Sequence, residues 1–348
     1  MKIMVTGGAG FIGGALVRHL IRHGLDVVNV DKLTYAAAPE ALASITGSPQ
    51  YAFVQADIGD PIVIKSIFAA HQPDAVVNLA AETHVDRSIA GPGVFVATNI
   101  SGTATLLQAA YSHFQRLSLE SKSNFRFLQV STDEVFGSLG PNDPPFTEDS
   151  LYAPRSPYAA SKAAADHLVR AWGHTYGLPV LISHGSNTYG PWQFPEKLIP
   201  LMLAKACEGE PMPIYGDGLQ VRDWLYVDDH AAALANILLH GIPGESYVIG
   251  SRSESTNRAI VQKICDLLDT RQPTGAPHDR LMVSVADRPG HDQRYAVNPA
   301  KLEAHRSWTP TWRFADGLAA TVDWYLAHRD WWSSRAHHHY TAARQAAQ

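Results

Sequence analysis

Short apolar runs alternate with segments of helical periodicity along the first half of the chain. Runs of strand length occupy Lys2–Thr6, Asp26–Val30, Gln50–Gln55, Ala75–Leu79, Phe125–Val130 and Leu178–Ile182. Helical spacing fills the intervals Ala15–His23, Pro61–Ala70, Val94–Ala110 and 158–176. Strands that alternate with helices predict right-handed crossover units and a parallel sheet. The pattern therefore predicts an α/β fold whose strand ends meet along one edge.

Glycines between the first strand and the first helix predict a dinucleotide site. Gly7, Gly10 and Gly13 stand in this turn, where glycine lets the backbone approach a pyrophosphate at a helix amino terminus. Asp31 ends the next strand at roughly the 20-residue distance at which a carboxylate binds ribose hydroxyls. Because that carboxylate would repel a 2′-phosphate, the sequence favours NAD over NADP. Lys32 weakens this preference unless it only flanks the adenosine.

Polar residues also follow the third and fourth strands. Asp57 fits both an adenine contact and a turn residue. After Leu79, small residues leave room for a cofactor, and His84, Asp86 and Arg87 are read as an internal hydrogen-bonded cluster. Asn99 is predicted to hold a loop to the cofactor site.

The stretch Val130–Gly137 carries the candidate chemistry. Thr132, Asp133 and Glu134 are predicted to lie just past the carboxyl end of the fifth strand, where open parallel sheets bind ligands. Since consecutive strand residues point to opposite faces, the chain must turn before Asp133 if both carboxyls serve one ligand. A hydroxyl and two carboxyls then supply a donor, an acid and a base. The alternative is a polar turn.

Tyr158 and Lys162 follow a polar, proline-rich loop and stand four residues apart. On a helix this spacing puts both side chains on one face. A nearby ammonium favours phenolate, so we predict a lowered pKa for Tyr158 and a role as a base. The alternative is an ordinary exposed helix face.

The second half supplies cations. Lys197, Arg222, Arg288 and His291 are predicted to surround a diphosphate, with Tyr215 near a base. Surface salt bridges would explain each charge singly. A final amphipathic helix is predicted after Pro310.

Composition excludes several classes of protein. The 348 residues are 45% apolar and carry a net charge of -5, which leaves no basic footprint for nucleic acid. Cys207 and Cys265 lie in apolar helical runs and fit core thiols in a reducing compartment. No signal peptide or bilayer-length run is evident, so we expect a cytoplasmic protein with no membrane partner. The 17 histidines lack ligand spacing, so no metal is expected.

The fold class predicted is a Rossmann-type doubly wound parallel sheet with a smaller mixed α/β substrate-binding domain after it. We place the NAD-binding domain at residues 1–183, with segments returning from the second half. Residues 184–335 form mainly the sugar-nucleotide domain, and 336–348 form a polar tail.

These motifs together resemble the extended short-chain dehydrogenase/reductases, and within them the dTDP-glucose 4,6-dehydratase family, from Lys2 to about Trp332. Its motifs are matched by Gly7–Gly13, Asp31–Tyr35, Leu79–Ser88, Ser131–Val135, Tyr158–Lys162, Phe194–Pro200, Arg222–Val227 and Asp287–His291. Asp133 discriminates, because related epimerases and decarboxylases lack the Asp-Glu pair. Three residues depart from the family pattern: Phe136 replaces tyrosine, His184 arginine and Thr188 a second asparagine.

The resemblance implies a site residue by residue. The implied catalytic residues are Thr132, Asp133, Glu134, Tyr158 and Lys162. The implied cofactor contacts are Gly7, Gly10, Phe11, Ile12, Gly13, Asp31, Lys32, Leu33, Thr34, Asp57, Ile58, Leu79, Ala80, Ala81, Thr83, Asn99, Tyr158 and Lys162. The implied substrate contacts are Thr83, His84, Thr132, Asp133, Glu134, Asn187, Lys197, Leu198, Pro213, Ile214, Tyr215, Arg222, Asn257, Arg288 and His291.

The resemblance also implies an activity: transient C4 oxidation by NAD, loss of water across C5 and C6, and hydride return to C6 of a nucleoside-diphosphate glucose. A homodimer is expected, with helices near 94–112 and 158–176 pairing between subunits. The residues do not choose between dTDP- and UDP-glucose. Two alternatives stay open: a UDP-sugar 4-epimerase or decarboxylase of the same superfamily, and a non-catalytic NAD-binding sensor.

Overall fold

The computed structural model describes residues 1–306 and 308–335. The predicted polar tail at 336–348, with its three consecutive histidines, lies outside the described residues. The strands are β1 Lys2–Thr6, β2 Asp26–Asp31, β3 Tyr51–Gln55, β4 Ala75–Asn78, β5 Arg126–Thr132, β6 Val180–Gly185, β7 Asn187–Tyr189, β8 Met212–Tyr215, β9 Val221–Tyr226, β10 Ser246–Ile249, β11 Glu254–Thr256 and β12 Met282–Val285.

Helices separate most of these strands. They are α1 Phe11–Arg22, α2 Pro61–His71, α3 Val85–Ala90, α4 Gly93–Phe95, α5 Thr103–Phe114, α6 Leu119–Asn124, α7 Pro157–Tyr176, α8 Leu198–Glu208, α9 Val227–His240, α10 Asn257–Arg271, α11 Ala300–Arg306 and α12 Phe314–Ala327. A π-helical segment, Val96–Gly102, joins α4 to α5, and a 3₁₀ turn, Asp133–Phe136, follows β5.

A seven-stranded sheet forms the centre of the molecule, in the order β10-β6-β5-β4-β1-β2-β3. Every neighbouring pair within it is parallel. The order runs outward in both directions from β1, so the carboxyl ends of β1 and β4 flank a switch point. The predicted doubly wound fold class is confirmed.

Apolar side chains cover both faces of this sheet. On one face α1 packs against α9, with Leu16, Leu20, Leu234 and Leu238 fully or almost fully buried. On the other face α2, α5 and α7 bury a second cluster that includes Phe68. Strands buried on both faces read as near-continuous apolar runs, which is why the sequence predicted them well.

The second half forms a smaller layer beyond the carboxyl edge of the sheet. It has a three-stranded sheet, β11-β9-β7, and a pair, β12-β8. Helices α8, α10 and α12 bury a separate apolar cluster against them. Because β10 and α9 from this half return to the central sheet, the boundary at residue 183 stays a prediction.

Several predicted boundaries move by a few residues. The fifth strand continues to Thr132, two residues beyond its predicted end, and the sixth lies at Val180–Gly185. The chain does turn at Asp133, as the site hypothesis required. Cys265 is buried and Cys207 partly buried, and both are free thiols.

Candidate active site

Two cavities open side by side at the carboxyl edge of the sheet. The inner cavity has a volume of about 310 Å³ and is lined by the glycine turn, the ends of β2, β4 and β5, and α7. The outer cavity has a volume of about 1400 Å³ and lies between the sheet and the second layer. Thr83, Glu134, Asn187, Phe194, Glu196 and Lys197 line both cavities. The two spaces therefore share a wall.

The glycine turn is packed too closely against neighbouring backbone to admit a side chain at Gly7 or Gly13. A Cβ at Gly13 would lie 2.1 Å from the carbonyl oxygen of Gly7, and one at Gly7 would lie 2.6 Å from the backbone nitrogen of Ala80. Gly7 also has a φ of 71°, which disfavours other residues. No side chain caps α1 at Gly10, so the turn can present backbone N–H groups to a pyrophosphate.

Asp31 closes one end of the inner cavity. Its carboxylate accepts hydrogen bonds from the backbone N–H of Ala9 at 3.0 Å and of Leu33 at 2.7 Å. Desolvation raises the pKa of Asp31, and these two N–H donors and Lys32 oppose the rise. The carboxylate is thus held at the end of β2, where ribose hydroxyls were predicted to bind.

Most predicted cofactor residues line the inner cavity, and two do not. The lining includes Gly7, Gly10, Phe11, Ile12, Gly13, Asp31, Lys32, Thr34, Asp57, Ile58, Leu79, Ala80, Ala81, Thr83, Tyr158 and Lys162. Leu33 and Asn99 lie outside it. Asn99 sits in the π-helical segment and bonds the backbone of Glu82 in both directions, as well as the hydroxyl of Ser161. It therefore positions the loop after β4.

The 3₁₀ turn after β5 brings Thr132, Asp133 and Glu134 to the inner cavity. The Thr132 hydroxyl lies 3.3 Å from Oδ1 of Asp133. Oδ2 of Asp133 is buried and has no hydrogen-bond partner among the described residues. Glu134 is less buried and also lines the outer cavity.

The two carboxyls have different environments. Burial raises the pKa of Asp133 well above its usual range, and the charges of Glu134 and Asp223 add to the rise. Burial also raises the pKa of Glu134, but Arg222, Arg288 and Lys197 oppose it. These surroundings favour protonation of Asp133 over protonation of Glu134, because three cations oppose the rise in the pKa of Glu134.

Tyr158 and Lys162 share the buried face of α7, as predicted. Pro157 is the first residue of α7, and the Ser156 side chain accepts a hydrogen bond from Ala159. The Lys162 ammonium donates to the carbonyl of Val130 at 2.7 Å. Burial lowers the pKa of Lys162 to about 8.

The predicted lowering of the Tyr158 pKa is wrong for the protein alone. Burial raises the pKa of Tyr158, and the charges of Glu134, Asp133 and Asp166 raise it further. A hydrogen bond with the Thr132 side chain acts in the opposite direction. The phenol lies among carboxyls whose proximity in space cannot be read from their positions along the chain.

The outer cavity collects the remaining predicted residues. Its lining includes Thr83, His84, Glu134, Asn187, Lys197, Leu198, Pro213, Ile214, Tyr215, Arg222, Asn257, Arg288 and His291. Arg222 is 4% exposed, and its guanidinium donates to the carbonyls of Val221 and Asp292 and lies over the Tyr295 ring. His291 pairs with Asp287. Lys197, Arg222 and the neighbouring pair Arg288 and His291 face one space from three separate chain segments, which isolated surface salt bridges would not require.

Only part of the predicted internal cluster of His84, Asp86 and Arg87 forms: Nδ1 of His84 accepts a hydrogen bond from the backbone N–H of Arg87 at 3.3 Å, and the other contacts of the three residues lie elsewhere. Arg288 reaches Asp86 at 3.4 Å, and His84 lies 3.7 Å from Glu196. Arg87 stacks over the Tyr35 ring. Arg288, Glu196 and Tyr35 come from other parts of the chain, so these contacts join the segment after β4 to distant segments. Sequence separation concealed these contacts.

Within residues 1–306 and 308–335, no three His, Cys, Asp or Glu side chains are grouped as a metal ion would require. In the same part of the chain, no helix is both long enough and apolar enough to cross a membrane.

Comparison with known proteins adds to this geometry. The profile of the family described as GDP-mannose 4,6 dehydratase matches residues 4–321. The dTDP-glucose 4,6-dehydratase of Neisseria meningitidis serogroup B is 53% identical over 338 residues, covering 96% of this chain and 95% of the relative. That of Shigella flexneri is 54% identical over 340 residues, covering 95% and 94%. The chain belongs to the dTDP-glucose 4,6-dehydratase family.

A solved member of this family has the same architecture. DesIV, the dTDP-glucose 4,6-dehydratase of Streptomyces venezuelae, was crystallised with NAD and dTDP bound. It is 43% identical to this chain with a TM-score of 0.88, and the match covers 96% of this chain and all of that one.

The three departures from the family pattern lie behind the cavities or at their rim. Phe136 packs its ring against those of Phe146, Tyr152 and His184. His184 is fully buried and hydrogen-bonds Tyr152. Thr188 lines the inner cavity and bonds Nδ1 of His230 at 2.7 Å.

Sequence reasoning missed residues that also line the cavities. Tyr35 donates hydrogen bonds to the Glu196 carboxylate at 3.0 and 3.1 Å. Both residues stand inside quoted family motifs, so a signal existed. Buried His230 lines the inner cavity from helix α9. The residues around His230 have the pattern of a buried helix, and no motif in the sequence indicates that His230 lines a cavity.

Proposed function

We propose that the protein is a dTDP-glucose 4,6-dehydratase, which converts dTDP-D-glucose to dTDP-4-keto-6-deoxy-D-glucose and water. The observation that carries this proposal is the turn after β5. It puts Asp133, whose buried Oδ2 has no hydrogen-bond partner among the described residues, beside Glu134, a carboxylate on which Arg222, Arg288 and Lys197 act. Both line the inner cavity together with Tyr158 and Lys162, and Glu134 also lines the outer cavity.

The inner cavity fits NAD. The glycine turn would hold the pyrophosphate through the uncapped N–H groups at the start of α1, and the close backbone packing that forms this turn requires glycine at positions 7 and 13. Asp31 would bind the adenosine ribose. Tyr158 and Lys162 would hold the nicotinamide end, and NAD⁺ when bound supplies a hydride acceptor with a positive charge.

The outer cavity would hold the sugar nucleotide. Arg222, Arg288, Lys197 and His291 would neutralise the diphosphate. The strand β8 would pack against the base through Pro213, Ile214 and Tyr215. The cations that face Glu134 would then also face the diphosphate. A diphosphate bound there would place the hexose at the wall that the inner and outer cavities share.

Oxidation at C4 needs a base and a hydrogen-bond donor. Tyr158 takes the proton of the sugar O4, and Thr132 holds O4 by a hydrogen bond. Lys162 carries a positive charge near this centre and favours the phenolate form of Tyr158. The raised pKa of Tyr158 in the protein alone means that this step depends on cationic help.

Elimination at C5 and C6 needs an acid and a base together. The C4 ketone acidifies the C5 proton, and Glu134 removes it. Asp133 delivers its proton to the C6 hydroxyl, which leaves as water. Glu134 then returns a proton to C5 as hydride reaches C6. The unequal pKa values of the two carboxyls supply both protonation states at one pH.

The substitution Asp133→Asn separates the two halves of this reaction. The variant should still form enzyme-bound NADH from dTDP-glucose, because C4 oxidation does not use Asp133. Release of the 4-keto product should fall by roughly 100-fold or more, the usual scale of general acid catalysis. Asp149→Asn, an exposed change in the following loop, is the control. Full turnover by Asp133→Asn would reject the assignment.

Other outcomes identify the alternatives. A 4-epimerase would return a C4-inverted sugar without the alkali absorbance of a 4-keto product. A sensor would bind NAD and reduce none of it. A panel with UDP-glucose beside dTDP-glucose measures the base preference.

We further propose a cytoplasmic homodimer. Val94 and Val96, which begin the helical stretch before α5, are 46% and 49% exposed, and a neighbouring subunit would cover them. Light scattering of the purified protein measures the mass that tests this assembly.

A further inference from the structure

A buried carboxylate lies one helical turn beyond Lys162 on α7. Asp166 is 0% exposed and lines neither cavity. Its Oδ2 accepts hydrogen bonds from the hydroxyl of Ser131 at 2.6 Å and of Tyr152 at 3.0 Å. Its Oδ1 has no hydrogen-bond partner among the described residues. The reaction proposed above gives Asp166 no task.

The contacts of Asp166 join three elements behind the active site. Ser131 belongs to β5, immediately before Thr132, and Tyr152 belongs to the loop that precedes α7. Tyr152 also bonds Nε2 of His184, on β6, at 2.7 Å. This chain of contacts fixes Asp166 relative to both the β5 turn and α7.

Lys162 is a buried cation, and a buried charge is costly unless an opposite charge compensates it. Its ammonium donates to a neutral carbonyl, that of Val130. Among the described groups, Asp166 is the charge that acts on Lys162. The i, i+4 spacing on α7 places the two side chains on the same face.

We propose that Asp166 is a positioning residue that acts through Lys162: it is the counter-ion that keeps this buried lysine charged during C4 oxidation. Ser131, Tyr152 and His184 hold the counter-ion in place. The proposal rests on the proposed function, because it concerns the hydride-transfer step of that reaction.

The direction of the pH effect follows from the charges. Burial lowers the pKa of Lys162 to about 8, and the carboxylate of Asp166 opposes that fall. The same carboxylate raises the pKa of Tyr158. Removing it lowers both pKa values, so the pH window with charged Lys162 and deprotonated Tyr158 moves to lower pH. Other titratable or charged groups around this cluster are Asp133, Glu134, Tyr152, His167, Arg170 and His184.

Position 184 sharpens the inference. The family pattern places arginine there, and a permanent cation beside Asp166 would cancel much of its field at Lys162. In this chain Nε2 of His184 lies 3.5 Å from Asp166, while its Nδ1 has no hydrogen-bond partner in the described chain. A histidine that bonds through one nitrogen leaves more of the carboxylate's charge acting on Lys162.

The test follows formation of enzyme-bound NADH in the holoenzyme after mixing with dTDP-glucose, across a range of pH. This readout does not require Asp133 or Glu134 to act. In Asp166→Asn the alkaline limb of the pH profile of NADH formation should move to lower pH by about one unit. KM should change little, because Asp166 lines neither cavity. Tyr152→Phe removes one of the hydrogen bonds that hold the Asp166 carboxyl but keeps that carboxyl, so its alkaline limb should move less than that of Asp166→Asn.

His184→Arg gives a second, independent arm, which does not depend on Asp166→Asn folding. It keeps the carboxyl and adds a cation, and it should move the alkaline limb to lower pH as well. Asp269→Asn removes a carboxyl that pairs with a histidine far from the site, His278, and should leave the profile unchanged. Profiles of Asp166→Asn and His184→Arg that superimpose on the wild type would overturn the inference. A wild-type enzyme that forms no NADH from dTDP-glucose would instead count against the proposed function.

Discussion

The inner and outer cavities share a wall but recognise their ligands by different means. The inner cavity is shaped mainly by backbone and small residues at the ends of β1 and β4, where Gly7 and Gly13 exclude any side chain. The outer cavity is shaped by long side chains from α8, β8, β9 and the loop before residue 291. Ligand binding in the inner cavity should therefore depend mainly on steric fit, and ligand binding in the outer cavity mainly on charge. Substitutions should fail in correspondingly different ways.

The largest effect is expected from Gly13→Ala in the inner cavity. A Cβ there would lie 2.1 Å from the Gly7 carbonyl, a backbone atom that cannot rotate away. We expect NAD affinity to fall by roughly 100-fold, equivalent to about 3 kcal/mol of overpacking. Calorimetric titration of NAD measures this change. Gly47→Ala is the control, because a Cβ there meets nothing within 4 Å. Equal NAD affinity in both variants would contradict the steric account.

Arg222→Gln should have a smaller effect and one that depends on pH. Arg222 faces Glu134 and lowers its pKa. Without this cation the pKa of Glu134 rises, so the ionised base is lost at a higher pH and the acid limb of kcat moves upward. KM for the sugar nucleotide should rise by roughly 30-fold, from about 2 kcal/mol of lost charge pairing.

The control for that change is Arg313→Gln, since the Arg313 side chain is 84% exposed and pairs only with nearby Asp316 among the described residues. It should leave both KM and the pH profile as they are. If Arg222→Gln weakened NAD and left the sugar nucleotide unaffected, the division of labour between the cavities would be wrong.

The same contrast explains how much the sequence could predict. The inner cavity follows from local patterns, because a strand, a glycine turn and a helix place Gly7, Gly13 and Asp31 within one crossover unit. The outer cavity depends on contacts between distant segments, such as Arg288 with Asp86. Periodicity carries no information about such contacts. Residue type alone suggested the cations of the outer cavity, and the family resemblance supplied the other predicted residues that line it.

The prediction of a lowered pKa for Tyr158 failed for the same reason. The i, i+4 spacing correctly placed Tyr158 and Lys162 on one face, but the pKa of Tyr158 depends on Glu134, Asp133 and Asp166. Two of these carboxyls lie on a turn whose direction the sequence did not specify. A pKa depends on all the groups that lie nearby in space. The pair of Tyr158 and Lys162, considered alone, therefore predicted the wrong direction for the shift in the Tyr158 pKa.

The smallest effect is expected where the two cavities meet. Tyr35 follows β2 and lines the outer cavity, and its hydroxyl donates to Glu196, which lines both spaces. Tyr35→Phe keeps the ring under Arg87 and removes this contact, so NAD affinity and KM should each weaken by roughly 2- to 10-fold, the range of one hydrogen bond. Tyr111→Phe, a partly exposed change on α5, is the control for both measurements. A loss confined to one ligand would mean that Tyr35 serves a single cavity, whereas equal losses in both ligands would establish it as the link between the steric site and the charged one.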